Sequence, residues 1–361
     1  MLGDYMKNYA IEFYRFVFSI VICTAHFIKR CDLYKGDLLD GGYMVGEFFF
    51  ILCGFFMVKS HDSMIAASAK QETAVTPDSI TSSSWAAKKS ADSLLRRIKR
   101  LYPHYLFSFL VILIWEMWQR KNILGTLKNG FFEAFMLQRI GFDWELYNEP
   151  TWYICAMLAA GYFVMFFLLK NRNLFLYILA PAGIIAGYCC LYNRFGYMSG
   201  IATVIGCIPA GLIRAGADIL VGCIAYELYL KISPLFKDRF HFTASGFEIL
   251  LYGVLLWYMF CAGHTRDDFI IIVIMAAAIL CTYMGNSSLS HILNNKLSRQ
   301  LGTLSYGIYL NHWLLIQVFL KFPALNQIAF HSQLMLYLGS VILYSILTTK
   351  IVQVLSRRIS L

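Results

Sequence analysis

Residues 9–30 read YAIEFYRFVFSIVICTAHFIKR, a nearly unbroken apolar run that holds an arginine, Arg15, and a histidine, His26, inside it. As a helix, 22 residues reach about 33 Å, enough to cross a ~30 Å hydrocarbon core. Runs of this kind recur at 43–59, 101–119, 151–169, 174–192, 215–231, 246–263, 268–285, 301–320 and 333–355, which predicts ten spans. Backbone polar groups in lipid must be satisfied internally, so the choice lies between a helix bundle and a closed barrel. The runs are too continuous for the alternating pattern of barrel strands. The predicted fold is therefore all-α, a polytopic integral membrane helix bundle of about ten transmembrane helices, formed as a single domain over 1–361.

Composition points the same way. Hydrophobic residues make up 59% of the 361 and charged residues 14%, more apolar and less charged than a soluble domain can hide. No long hydrophilic region is present, so any chemistry falls to the bundle. The net charge of +10 sits in short loops between apolar runs, which is a topology signal and not a nucleic-acid footprint. With the N-terminus inside, 19 Lys and Arg fall on the inner side and 11 on the outer, Arg15 lying within a span. Both termini are thus expected in the cytoplasm, with the protein in the cell membrane and membrane lipid around it. The N-terminal residues lack a basic leader with a small-residue cleavage site, so the first run is expected to remain as a helix.

Two stretches, 130–137 and 199–212, are short or rich in Gly and Pro and read as partial or interfacial segments. If 199–212 were a full span, the basic loops at 231–239 and 296–299 would face outward. Residues 60–94, rich in Ser, Ala and Lys, read as a cytoplasmic loop with an amphipathic helix near 85–100 on the membrane surface. The 10 cysteines, among them Cys23, Cys53, Cys155 and Cys281, form no CxxC pair and read as small buried hydrophobes. No metal site is expected.

Arg15 and His26 are 11 residues apart, so at 100° per residue they lie within about 20° of one stripe and roughly 16 Å apart along the axis. Ionisable groups inside a span are costly and usually face a polar path. A bland reading has Arg15 snorkelling to the headgroups and His26 at the opposite interface. The second span opens with Glu47 in GGYMVGEFFFILCGFFMVK. Beside His26 this carboxylate would orient the imidazole as a base; alternatively it sits at a helix start, where the dipole favours negative charge. In LLRRIKRLYPHYLF, Arg96, Arg97, Lys99 and Arg100 precede the third span. Such a cluster binds anionic lipid or grips phosphate, and charge alone does not separate the two. LGTLSYGIYLNHWLLIQ sets Ser305, Tyr306, Tyr309 and His312 in a polar-aromatic band. NEPTWYICAML starts a helix with Trp152 and Tyr153, where an aromatic belt needs no further function.

Taken in order, Arg-x10-His, GEFFFILCGFF, RRIKRLYP, TWY and LSYGIYLNHW resemble the acyltransferase 3 family of membrane O-acyltransferases over most of the chain. Glu47 stands where the family often has Asp. The extracytoplasmic hydrolase-like domain of some members is not expected here. The resemblance implies a cytoplasmic acyl coenzyme A donor, acetyl by the family default, and a hydroxyl of an extracytoplasmic or lipid-linked glycan as acceptor. It makes His26 the essential histidine with Arg15 its partner, and Arg97 and Arg100 the RxxR pair associated with the donor. Tyr153, Tyr309, His312 and Trp152 are the expected substrate or oxyanion groups. Two other classes were open to the residues alone. A transporter of glycans or lipid intermediates would also place polar groups in a bundle, but no internal repeat is visible; a scaffold would need no intramembrane charge.

Overall fold

A computed structural model describes residues 8–31, 37–71, 82–139, 141, 145–236, 241–322, 325 and 328–359. The helices in chain order are α1 (Tyr9–Cys31), α2 (Val45–Gln71), α3 (Ser83–Arg120), α4 (Ile123–Asn129), α5 (Phe131–Ala134), α6 (Trp152–Lys170), α7 (Arg172–Phe195), α8 (Ala210–Ile232), α9 (His241–Cys261), α10 (Asp268–Met284), α11 (Ser288–Leu293), α12 (Lys296–Lys321) and α13 (Phe330–Ile359). One two-stranded hairpin, β1 (Val204–Ile205) with β2 (Ile208–Pro209), is the only sheet among the described residues. The fold is an all-α, polytopic membrane bundle.

Every one of the ten apolar runs forms a helix. Among the described residues eight helices are long and apolar enough to cross a membrane; α10 is apolar but shorter, and α12 carries too many polar residues to count by composition alone. The two ambiguous stretches resolve as the single turn of α5 and as the hairpin, followed directly by α8. Residues 60–94 differ from expectation. Helix α2 continues to Gln71, and α3 runs unbroken for 38 residues from its Ser82 cap, whose hydroxyl accepts the Trp85 N–H at 3.2 Å. The surface helix and the third span are thus one helix, with Pro103 inside it. Residues 72–81 lie outside the described set. Cys23, Cys155 and Cys281 are buried, Cys53 is half-buried, and none of the four is in a disulfide.

The chain divides into two compact units, one of residues 1–45, 229–263 and 273–361, the other of 46–228 and 264–272. In the first, α1 packs along α12, and the absence of a side chain at Gly302 lets the α12 backbone rest against Glu12. The hydroxyl of Tyr337 on α13 shares its one hydrogen between the carbonyls of Cys23 on α1 and His312 on α12, at 3.5 and 3.3 Å. A second anchor is buried Glu248 of α9, which accepts from Tyr14, Thr282 and Ser290 at 3.3, 2.7 and 2.9 Å. Three hydroxyls therefore offset the cost of burying that carboxyl.

In the second unit α3 packs on α6. Helices α2 and α8 cross where Gly54 meets the backbone of Ile219 and Gly222 meets that of Ile51. Only glycine allows two backbones so close. At one end of this unit Arg172 binds Asp62 through Nε and Nη2 (2.9 and 3.0 Å) and Glu227 through Nη2 (2.8 Å).

Candidate active site

On helix α1 both Arg15 and His26 are partly exposed, and their partners differ. Arg15 is half-exposed and its guanidinium is paired one turn back with Glu12 at 2.7 Å. His26 is half-buried, and its Nδ1 lies 2.9 Å from Nε2 of His312 on α12. The two rings are tilted by 13° with centroids 5.2 Å apart, an edge-to-edge and nearly coplanar arrangement that an in-plane hydrogen bond requires. His312 is 0% exposed, and its Nδ1 is 2.7 Å from the carbonyl oxygen of Tyr309. Trp313 stands edge-on to His26 at 5.7 Å and carries the Arg30 guanidinium over its face at 4.8 Å.

The acidic group expected beside His26 has another partner. Glu47, fully buried, accepts Nε of Arg214 at 2.8 Å and also its Nη2. Arg214, one residue before the predicted span 215–231, lies inside α8, 3% exposed, with the Trp152 ring 5.6 Å beneath it. One turn on, Asp218 accepts from the Tyr188 hydroxyl at 2.6 Å, and Asp268 accepts the Met198 N–H at 2.9 Å. Glu47 and Asp268 lie in the first turns of their helices, and Tyr153 stacks on Phe50 at 4.2 Å.

The two members of the RxxR pair differ in surroundings. Arg97 turns inward, its Nη1 donating to Cys53 Sγ at 2.9 Å, and lines a narrow crevice with Met57, Leu94, Met157 and Tyr162. Arg100 is exposed. Residues at i and i+3 lie about 60° apart around a helix, so the two guanidinium groups can face different surroundings. His312, expected as an oxyanion donor, has both ring nitrogens engaged and so no N–H to spare.

The family model for the acyltransferase domain matches residues 8–352. The chain belongs to the acyltransferase 3 family. No curated protein and no solved structure gives a significant match. A multi-pass membrane acyltransferase therefore carries the histidine pair and the Glu47–Arg214 pair. Sequence reading missed the partner residues Arg214, Asp218, Glu12 and Glu248. For Arg214 and Asp218 the signal was present, a charge pair four residues apart in IRAGADILVG; intramembrane charges of this spacing share a helix face.

Proposed function

We propose that this acyltransferase moves an acyl group, acetyl by default, from acyl coenzyme A to a hydroxyl of a cell-surface or lipid-linked glycan, with His26 as the general base. The observation that carries this reading is a half-buried histidine in the first helix, hydrogen-bonded through one ring nitrogen to a second, fully buried histidine. An imidazole held in this way is oriented by one nitrogen and can work through the other. General-base help of this kind is worth ~10²–10⁴ in rate.

In this reading the acceptor hydroxyl gives its proton to His26 as its oxygen attacks the thioester carbonyl carbon. The tetrahedral intermediate collapses, the C–S bond breaks, and the same proton passes to the leaving sulfur. Ester and free coenzyme A result. Arg97 and Arg100 hold the donor phosphates, a task that suits the guanidinium fork, with Arg15 assisting from its half of α1. Tyr153, Tyr309 and Trp152 are the remaining candidates for lining the acceptor or stabilising the oxyanion. The protein sits in the cell membrane with both termini in the cytoplasm, by the bias of its loop cations.

Glycans from cells with and without the gene, compared by mass spectrometry, should differ by an acyl mass, and purified protein should transfer label from acetyl coenzyme A. A His26→Ala protein that folds and still transfers at the normal rate would falsify the role of His26. An Arg97→Met/Arg100→Met protein should bind acetyl coenzyme A more weakly; unchanged affinity would leave the cluster as a lipid anchor. Substrate movement without coenzyme A dependence would support a transporter instead.

A further inference from the structure

Hydrogen-bond polarity along the histidine pair can be read from its far end. A peptide carbonyl only accepts, so Nδ1 of His312, 2.7 Å from the Tyr309 oxygen, carries a hydrogen. A neutral imidazole has one N–H, so Nε2 of His312 is a lone pair. The partner 2.9 Å away, Nδ1 of His26, must then donate. This leaves Nε2 of His26 as the basic nitrogen. The order is Tyr309 carbonyl, His312, His26, with every N–H pointing towards the carbonyl.

We infer that His312 is a positioning residue that fixes His26 in the Nδ1–H form and so presents a basic Nε2 to the acceptor hydroxyl; this rests on the reading of His26 as the base. Exposure separates the roles. His26 is half-buried and can meet a substrate, whereas His312 is 0% exposed and reaches the reaction only through His26. Tyr337 lies between the two helices, its one hydroxyl hydrogen shared between the carbonyls of Cys23 and His312 at 3.5 and 3.3 Å, three residues before His26 and at His312 itself.

A catalytic histidine is commonly oriented by a carboxylate, which also steadies the imidazolium. Here a neutral ring and a peptide carbonyl do the orienting, and no second buried charge is needed in the span. When Nε2 of His26 takes the hydroxyl proton, its Nδ1–H strengthens its hold on His312 Nε2 and the positive charge is shared across the two rings. The proton on His26 Nε2 then goes to the thiolate, and the pair returns to its starting form. No oxidant or other co-reactant enters.

Nitrogen NMR of the full-length protein, ¹⁵N-histidine-labelled in nanodiscs and assigned with His26→Ala and His312→Ala, tests this without turnover. Pyrrole-type Nδ1 and pyridine-type Nε2 at His26 are expected; the opposite tautomer overturns the inference whatever the enzyme's activity. In kinetics, His312→Phe keeps the ring volume and removes the acceptor. Its kcat should fall by about 10²–10⁴ with KM for donor and acceptor little changed. His312→Gln, whose amide oxygen can accept from His26, should recover at least about tenfold of that loss. Equal defects in the Phe and Gln proteins, or a loss confined to KM, would overturn the positioning role while leaving the acyltransferase reading intact. Loss of acetyl transfer from wild-type protein with the expected tautomer would do the reverse.

Discussion

Arg214 directs both Nε and Nη2 at a single oxygen of Glu47, while the other oxygen of that carboxylate is buried without a hydrogen-bond partner among the described residues. The pair is therefore held by charge and geometry more than by full satisfaction of its acceptors. Breaking such a pair leaves an uncompensated buried charge, which costs about 3–5 kcal/mol. Arg214→Ala or Glu47→Ala should lower stability by that amount in detergent unfolding. Replacing both at once, Glu47→Leu with Arg214→Met, should recover most of the loss. Additive losses in the double variant would show that the two residues stabilise the fold independently.

Glu133 gives a pH dependence. It lies on α5, outside the spans, 1% exposed, accepting the backbone N–H groups of Tyr147 and Asn148 at 2.8 and 2.9 Å. Burial outweighs those bonds and pushes its carboxyl up to about 7. Between the usual carboxylate range and pH 7 the folded protein keeps a proton that the unfolded chain has released. Stability from this group is thus complete at low pH and is lost as pH rises through about 7, by an amount on the order of 3 kcal/mol. The melting temperature should fall between pH 5 and pH 8, and the Glu133→Gln protein should flatten that slope. An unchanged slope in Glu133→Gln would assign the dependence to another group.

The crossing of α2 and α8 admits no Cβ. At both Gly54 and Gly222 an added methyl would meet main-chain atoms, Ile219 O and Ile51 O, that cannot rotate away. Gly54→Ala and Gly222→Ala should each cost about 1–3 kcal/mol or more and reduce the yield of folded protein on gel filtration. Gly253→Ala, with open space at its Cβ position, serves as the control and should leave yield unaffected.

Glu12 and Arg15 form a pair in which the side chains are 30% and 31% exposed. Such pairs contribute ~0.2–1 kcal/mol. Glu12→Gln should therefore change the melting point little, yet in the proposed function it should alter donor KM by freeing the Arg15 guanidinium. A large loss of stability in Glu12→Gln would mean that Glu12 does structural work against Gly302 that the ion pair does not explain.

Each of the ten apolar runs became a helix, eight of them among the described residues long and apolar enough to cross a membrane, because hydropathy over about 20 residues is a local property and lipid leaves the backbone few alternatives. The same local averaging erred at boundaries. It put Arg214 one residue before the predicted span 215–231, since an isolated cation ends an apolar window, and it separated residues 85–100 from the third span although α3 is continuous. In each case the compensating partner or the continued helix lies beyond the window.

By itself the sequence determined a helix bundle, the one-face alignment of Arg15 and His26, and membership of an acyltransferase family through motifs kept in order. Which groups touch was decided by tertiary structure. His26 meets His312 across 286 residues and Glu47 meets Arg214 across 167. Those pairings depend on how α1 lies on α12 and how α2 crosses α8, and both are fixed by close backbone contact at glycines. A hydropathy pattern carries no record of such long-range register. It could therefore nominate His26 as a base, but the contact of His26 with His312, and of His312 with the carbonyl of Tyr309, is visible only in the tertiary structure.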